Sequence, residues 1–378
     1  MQEDITVLWQ SGTFCVTTYS LMMVLGAALG VLLTLLLNRK RLSLALSVCL
    51  SGVIGAVLGG HLLWSLFSLG KLPDYTSGYA LLWQPQLGGY CLVGAVAGLF
   101  IALLLCALLT KQPPRVLFDM AVPGSLLALC VGRAAEAFTT QGLGEYIEDE
   151  ALMRFPCGIA IVYEDWVDWR VPVFVYEAMT AALLLILALV LMNRLKRPGR
   201  LTGIALTVVC ATQIFFEQLR NDDYLRFGFV RVTQVSAILA MLAVLLLSVY
   251  AAVKRDGWRT ASVLRLVLLP LCALTVIFIE FAFEKGWVKP YLCITLLVTA
   301  AVGACALIDY GCALNRRRAR PRAILCFLLM ALEVAFSIWV VWAIHQEFEW
   351  ENMMLYGVMA AAMATATATT TCGTCGRQ

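Results

Sequence analysis

The sequence predicts an all-α, polytopic integral membrane protein of about ten transmembrane helices with one small extracytoplasmic head segment. Three observations carry that prediction. Of 378 residues, 61% are hydrophobic and 14% are charged, where soluble domains carry about 25% charged residues. Apolar runs of about 20 residues recur along the chain, enough at about 1.5 Å per residue to cross about 30 Å of hydrocarbon. Inside lipid the backbone must satisfy its own hydrogen bonds, so such runs are read as helices. Finally, the basic clusters fall in every second link between the runs, as the cytoplasmic bias of Lys and Arg requires.

The elements follow in order. Residues 1–10 have no basic region and carry Glu3 and Asp4. The first apolar run, 15–37, is too long for a secretory signal and ends at Arg39-Lys40-Arg41, so it reads as a retained span. Further spans are expected at 44–68, 89–110, 116–135, 172–192, 201–219, 231–253, 263–283, 290–309 and 323–345. The basic links are 39–41, 111–115, 194–200, 254–259 and 316–322, and the alternate links are poor in cations or mixed. This alternation puts both termini outside the cytoplasm. Residues 136–170 form the one long link. Eight acidic residues, among them Glu136, Glu145 and Glu148, face Arg154 and Arg170, and Trp166 and Trp169 precede the next span. Composition leaves two readings open, an ordinary loop with an interfacial aromatic belt or a small head over a site. The end of the chain is an Ala/Thr-rich tail closing on Cys372-Gly-Thr-Cys375, read as unstructured rather than as a redox pair. The predicted organisation is thus seven spans over 1–253, three more over 254–348, and a tail over 349–378.

Most of the fourteen cysteines lie in apolar runs, where a thiol acts as a small hydrophobe. Gly26 with Gly30 and Gly94 with Gly98 form GxxxG pairs that predict close helix packing. Two histidines exclude a His-based metal site or a Ser-His-Asp triad, and neither a metal nor a cofactor is implied. Small basic clusters between apolar runs suit topology, not nucleic-acid binding.

Ionisable residues inside spans are costly and mark candidate sites. His61 lies in the second span, Arg133 ends the fourth after Gly132, and Tyr176-Glu177 is one turn into the fifth. Gln213, Glu217 and Arg220 fall on one face at the end of the sixth. Singly, each has a structural explanation: a snorkelling Arg133, or a helix-end ion pair between Glu217 and Arg220. Jointly they place polar groups from three spans near one leaflet, with two arginines suited to gripping a phosphate. A phospholipid headgroup is the natural anion at that depth. Glu280, Glu333 and His345 are read as paired or interfacial.

The stretch from Val122-Pro123-Gly124 to Gly132-Arg133 resembles the lead into the signature Gly-Arg-x-Gly-Asn-Phe-x-Asn-x-Glu of the prolipoprotein diacylglyceryl transferases. Tyr19 resembles the tyrosine of the first-helix Trp-Tyr-Gly motif. Trp83 to Gly98, with Gly88-Gly89 and Gly94, resembles the Gly-Gly-x-x-x-His-Gly-Gly segment. Pro172 with Tyr176-Glu177 resembles Pro-x-Gln-Leu-Tyr-Glu, and Glu217, Arg220 and Asp223 resemble Glu-x-x-Arg-Glu-Pro-Asp. Gln234 and Ser236 resemble the start of the last family helix. The resemblance covers about residues 15–253. The departures are specific: the family histidine falls on Val93, the signature asparagines on Glu136 and Thr139, and the signature glutamate on Gln141. Family arginines fall on His61 and Gln213.

The resemblance implies transfer of diacylglycerol from phosphatidylglycerol to a lipobox cysteine thiol, at a bacterial inner membrane. Its partners would be phosphatidylglycerol, a prolipoprotein lipobox peptide and the bilayer. Tyr19 takes a catalytic role by its match to the family tyrosine, and, with Val93 in place of the family histidine, Glu136 and Glu177 are the candidate catalytic bases on chemical grounds, since desolvation can raise a carboxylate's pKa. Arg133, Arg220, Glu217, Tyr176, Gly132, Gln141, Gln213 and His61 would bind substrate. Two other classes stay open: a catalytically degenerate homologue that binds phospholipid or prolipoprotein, and a small-solute transporter. Against the transporter, the sequence shows no inverted repeat.

Overall fold

The computed structural model describes residues 7–11, 14–68, 89–162, 166–193, 195, 198–221, 226–227 and 230–256. The last three expected spans, the tail with Cys372 and Cys375, Glu280, Glu333 and His345 lie outside the described residues, as do Trp83, Gly88 and Asp223.

Seven α-helices run through the described residues: α1 (Thr18–Leu37), α2 (Leu42–Ser68), α3 (Leu92–Thr110), α4 (Pro114–Ala135), α5 (Val173–Met192), α6 (Arg200–Leu219) and α7 (Val232–Asp256). Each overlays one of the first seven expected spans. Five of them, α1 to α5, are long and apolar enough to cross a membrane. Their outward faces suit lipid: Leu108 and Leu109 of α3 are 75% and 85% exposed, which water would penalise and acyl chains do not.

The chain is mostly helical but not wholly so. The described residues hold three two-stranded antiparallel pairs: β1 (Val7–Ser11) with β2 (Phe14–Thr17), β3 (Ile159–Val162) with β4 (Val167–Arg170), and β5 (Arg226–Phe227) with β6 (Val230–Arg231). The first pair precedes α1, so that the helix starts at Thr18 rather than at the expected 15, and the other two lie in links. In the 136–170 link, β4 also bridges Tyr146 through Arg170, and the Arg170 guanidinium lies over the Tyr146 ring at 3.9 Å.

The helices approach where side chains are absent. A Cβ added to Gly30 of α1 would stand 2.5 Å from the Gly124 carbonyl oxygen of α4, and one added to Gly55 of α2 would stand 2.5 Å from that of Gly98 in α3. Both are closer than any real Cβ contact, so these seams require glycine. With Gly26 against Val131, and Gly59 against Gly94, both expected GxxxG pairs sit at helix crossings.

A carboxylate near the start of α4 ties that helix to α6. Gly199 opens α6 in the left-handed region (φ 88°) and has no side chain to cap the helix. Asp119 of α4 supplies the cap instead, accepting from Gly199 N at 2.6 Å, Thr202 N at 2.9 Å and Thr202 Oγ1 at 2.6 Å. The Thr202 amide is the donor that an N-cap side chain normally takes.

The chain divides into two compact units. One comprises 1–148, 158–205 and 219–225, and the other 149–157, 206–218 and 226–378.

Candidate active site

The first unit brings four charged residues together. Arg133 lies in the last turn of α4, and the following 3₁₀ turn, Glu136–Phe138, carries Glu136. Glu177 comes from α5, one turn after Pro172 at its cap. Arg220 stands at the C-cap of α6, where the backbone has become extended. The Arg133 Nη1 lies 2.5 Å from Glu136 Oε1 and 3.3 Å from Glu177 Oε2. The Arg220 Nη1 lies 3.1 Å from Glu177 Oε2 and 3.5 Å from Glu136 Oε2. Each arginine therefore touches both carboxylates, in a ring of two positive and two negative charges.

The ring is buried, with side-chain exposures of 11% for Arg133, 9% for Glu136, 4% for Glu177 and 6% for Arg220. Charges this far from water persist only when paired. The pairing is uneven. Glu136 Oε1 takes a short bond from Arg133, while no hydrogen-bond donor among the described residues reaches Oε2.

Local structure explains why Glu136 is held there. Thr139 closes the 3₁₀ turn, both its amide (3.0 Å) and its hydroxyl (2.9 Å) donating to the Glu136 carbonyl. The Thr139 hydroxyl oxygen then accepts from Gln141 N at 3.2 Å. Gly142 follows at φ 71°, and a Cβ there would collide with Glu136 Oε2 and stand 2.9 Å from Phe174 Cβ. Glycine is therefore needed twice over, for the backbone angle and for the space. Its carbonyl accepts from Phe174 N at 3.0 Å, fixing the loop to the start of α5. Asn221 N donates to Leu143 O at 2.9 Å, which brings the chain after Arg220 to the same loop.

The other expected site residues are distributed as follows. Tyr19, half-buried in the first turn of α1, is in electrostatic range of Glu136, Arg133 and Arg220. Tyr176 is fully buried beside Glu177 in sequence, and Gly132 packs against the Met23 sulfur. Gln141 is exposed. His61 lies apart on α2, its Nε2 3.5 Å from Ser65 Oγ and its ring tilted against Tyr90 at 5.7 Å. Gln213 and Glu217 belong to the second unit, where Gln213 Nε2 donates to Glu217 Oε2 at 3.3 Å and Arg231 Nη1 lies 3.6 Å from Glu217 Oε1. Arg231 is a partner that the sequence reading missed. Its position just before a helix, beside a link with several charges, hides it among ordinary helix-end cations.

Residues 6–250 match the model of a family described as prolipoprotein diacylglyceryl transferase. A protein of Lactobacillus delbrueckii subsp. bulgaricus is 23% identical over 260 residues, spanning 66% of this chain and 91% of its own length. Two proteins of Clostridium botulinum strains are 22% identical over 239 residues (62% and 94%) and 21% identical over 253 residues (66% and 98%). All three carry the name phosphatidylglycerol–prolipoprotein diacylglyceryl transferase.

Proposed function

Since the chain belongs to the prolipoprotein diacylglyceryl transferase family, we propose that it moves diacylglycerol from phosphatidylglycerol to the cysteine thiol of a prolipoprotein lipobox. In this reaction the cysteine sulfur forms a bond to the glyceryl carbon. The bond from that carbon to the phosphate oxygen breaks, the electron pair leaves with glycerol phosphate, and the thiol proton passes to a base.

The observation that carries the reading is the buried ring of Arg133, Glu136, Glu177 and Arg220. Arginine suits a phosphate because its planar fork offers several donors at once. Arg133 and Arg220 would hold the headgroup phosphate and stabilise the charge it gains as it departs, a contribution that grows in a dry site. The phosphate would take over contacts that the glutamates now make. Glu136, whose Oε2 is bonded least, is the carboxylate most readily displaced, and it is then free to receive the thiol proton. Glu177, buried to 4%, would stay to keep both arginines in place. Tyr19 would contribute its hydroxyl from α1.

The same reading places the protein in the bacterial cytoplasmic membrane with both termini outside, so the ring meets the outer leaflet. It makes 1–253 the catalytic membrane domain, with 136–170 as a head beside the lipid entry, and adds three further spans over 254–348, ten in all, and a tail over 349–378. Gly132, Tyr176, Gln141 and His61 are assigned substrate-binding roles within the first unit, and Gln213 and Glu217 within the second.

One alternative has a specific observation behind it. Val93, Thr139 and Gln213 replace family polar residues, which favours a homologue that binds lipid or prolipoprotein without turnover. Complementation separates the two. The chain is expressed in a bacterium depleted of its own transferase, and a reporter prolipoprotein is followed by gel shift and mass. The expected result is a diacylglyceryl mass increment that disappears with Arg133→Ala. Well-inserted protein that binds phosphatidylglycerol vesicles but adds no mass would establish the non-catalytic homologue instead.

A further inference from the structure

The second unit holds a buried amide without a hydrogen-bond partner among the described residues. Gln234 lies in the first turn of α7 and is 2% exposed, yet no donor or acceptor among the described residues reaches either its Nε2 or its Oε1. Burying a primary amide without partners costs free energy on both atoms, so its environment here is incomplete. The polar residues close to it in sequence, Ser236 and Arg231, have other engagements. Ser236 Oγ donates back to Val232 O at 2.7 Å. Glu217 takes the Gln213 amide on one oxygen and faces Arg231 with the other.

We propose that Gln234 is a binding position for the main chain of the acceptor peptide, with its amide oxygen accepting from a peptide N–H and its amide nitrogen donating to a peptide carbonyl. This rests on the transferase reading. A glutamine side chain ends in the same donor and acceptor as the peptide bond, so it can pair with one extended residue on both edges. An uncharged ligand suits the position, because the amide itself carries no charge and offers one acceptor and one donor group. A peptide is also the substrate in greater need. An extended segment drawn toward its lipid co-substrate loses water from every N–H and C=O, and within a bilayer each such group needs a protein partner. The hydroxyls of a lipid headgroup remain at the interface, where water serves them.

The test uses the full chain in phosphatidylcholine nanodiscs. A fluorescent synthetic lipobox peptide with its cysteine replaced by serine reports peptide binding, and titrated phosphatidylglycerol reports lipid binding. Gln234→Leu keeps the bulk and removes the amide. The expected result is peptide affinity lowered about thirtyfold, the value of two ordinary hydrogen bonds, with phosphatidylglycerol binding unchanged and thermal stability unchanged or raised. Loss of lipid affinity with peptide affinity intact would assign the amide to the headgroup and overturn the proposal. A fall in melting temperature with no change in either affinity would make Gln234 structural, completed by bound water, and would also overturn it. Wild-type protein that transfers lipid while Gln234→Leu binds peptide normally would sink this proposal and leave the transferase reading standing. Wild-type protein that neither binds nor modifies peptide would sink both.

Discussion

Helix α4 carries charge near both ends, and the two ends handle it differently. Asp119, near the start, accepts three hydrogen bonds from Gly199 and Thr202, two of them from main-chain amides. Its partners are fixed in place by the helix they open, and none is a counter-ion that could leave. Near the other end, Arg133 and Glu136 meet Glu177 and Arg220 in a ring whose contacts range from 2.5 to 3.5 Å. There every partner is itself a side-chain charge, and Glu136 Oε2 faces Arg220 at 3.5 Å without accepting a hydrogen bond among the described residues. A charge that serves the fold is satisfied by rigid dipoles. Charges held against one another can exchange partners when an anion arrives, and that makes the second end the candidate for chemistry.

The largest effect should come from unbalancing the ring. Arg220→Ala leaves two buried carboxylates to one cation, and should lower unfolding stability by about 3–5 kcal/mol. Thermal unfolding in detergent measures this. Replacing Arg220 with Met and Glu177 with Leu together restores neutrality, so stability should return while transfer does not. If the double variant stays as unstable as the single one, the ring holds the fold together as Asp119 does, and the contrast between the two ends disappears.

Asp119→Ala should come next, at about 2 kcal/mol, since it removes hydrogen bonds to a charged acceptor and leaves the α6 amides uncapped. Transfer per folded molecule should be unaffected. Asp119→Asn retains an acceptor and should lose less. A folded Asp119→Ala protein without activity would mean that this end also belongs to the mechanism.

These two ends were not equally legible in the sequence. The helices show as apolar runs, and five of them, α1 to α5, are long and apolar enough to cross a membrane, where lipid tolerates no other backbone. Arg133, Glu177 and Arg220 stand out because charges in apolar runs are rare, and Glu136 because it falls where the family signature has an asparagine. What a single sequence cannot give is the pairing. A helix-end ion pair between Glu217 and Arg220 is the reading that local spacing favours, yet Glu217 meets Arg231, fourteen residues on, and Arg220 meets Glu177, forty-three residues back. Asp119 was passed over altogether: its partners lie eighty and eighty-three residues away, and next to a basic link a lone carboxylate looks ordinary. A glycine, Gly199, just before the apolar run, with no side chain to cap the helix, is the available sign that a cap has to come from elsewhere. The short strand pairs escaped because four-residue alternations such as Ile159–Val162 are too brief to separate from loop.

The smallest expected effect separates positioning from packing at α1. Thr17 and Ser20 form a capping box: the Thr17 hydroxyl accepts from Ser20 N at 3.1 Å and the Ser20 hydroxyl accepts from Thr17 N at 3.0 Å. Tyr19 sits between them, in the turn the box fixes. Thr17→Ala should cost about 1 kcal/mol, and Thr17→Ser almost nothing, because serine keeps the acceptor. Faster hydrogen exchange at the Ser20 amide would report the loosened turn. If that turn matters because it aims Tyr19 at the ring, Thr17→Ala should lower the transfer rate in wild-type protein and have no further effect once Tyr19 is changed to Phe. An equal loss in both backgrounds would mean that the cap supports the helix and Tyr19 acts without it.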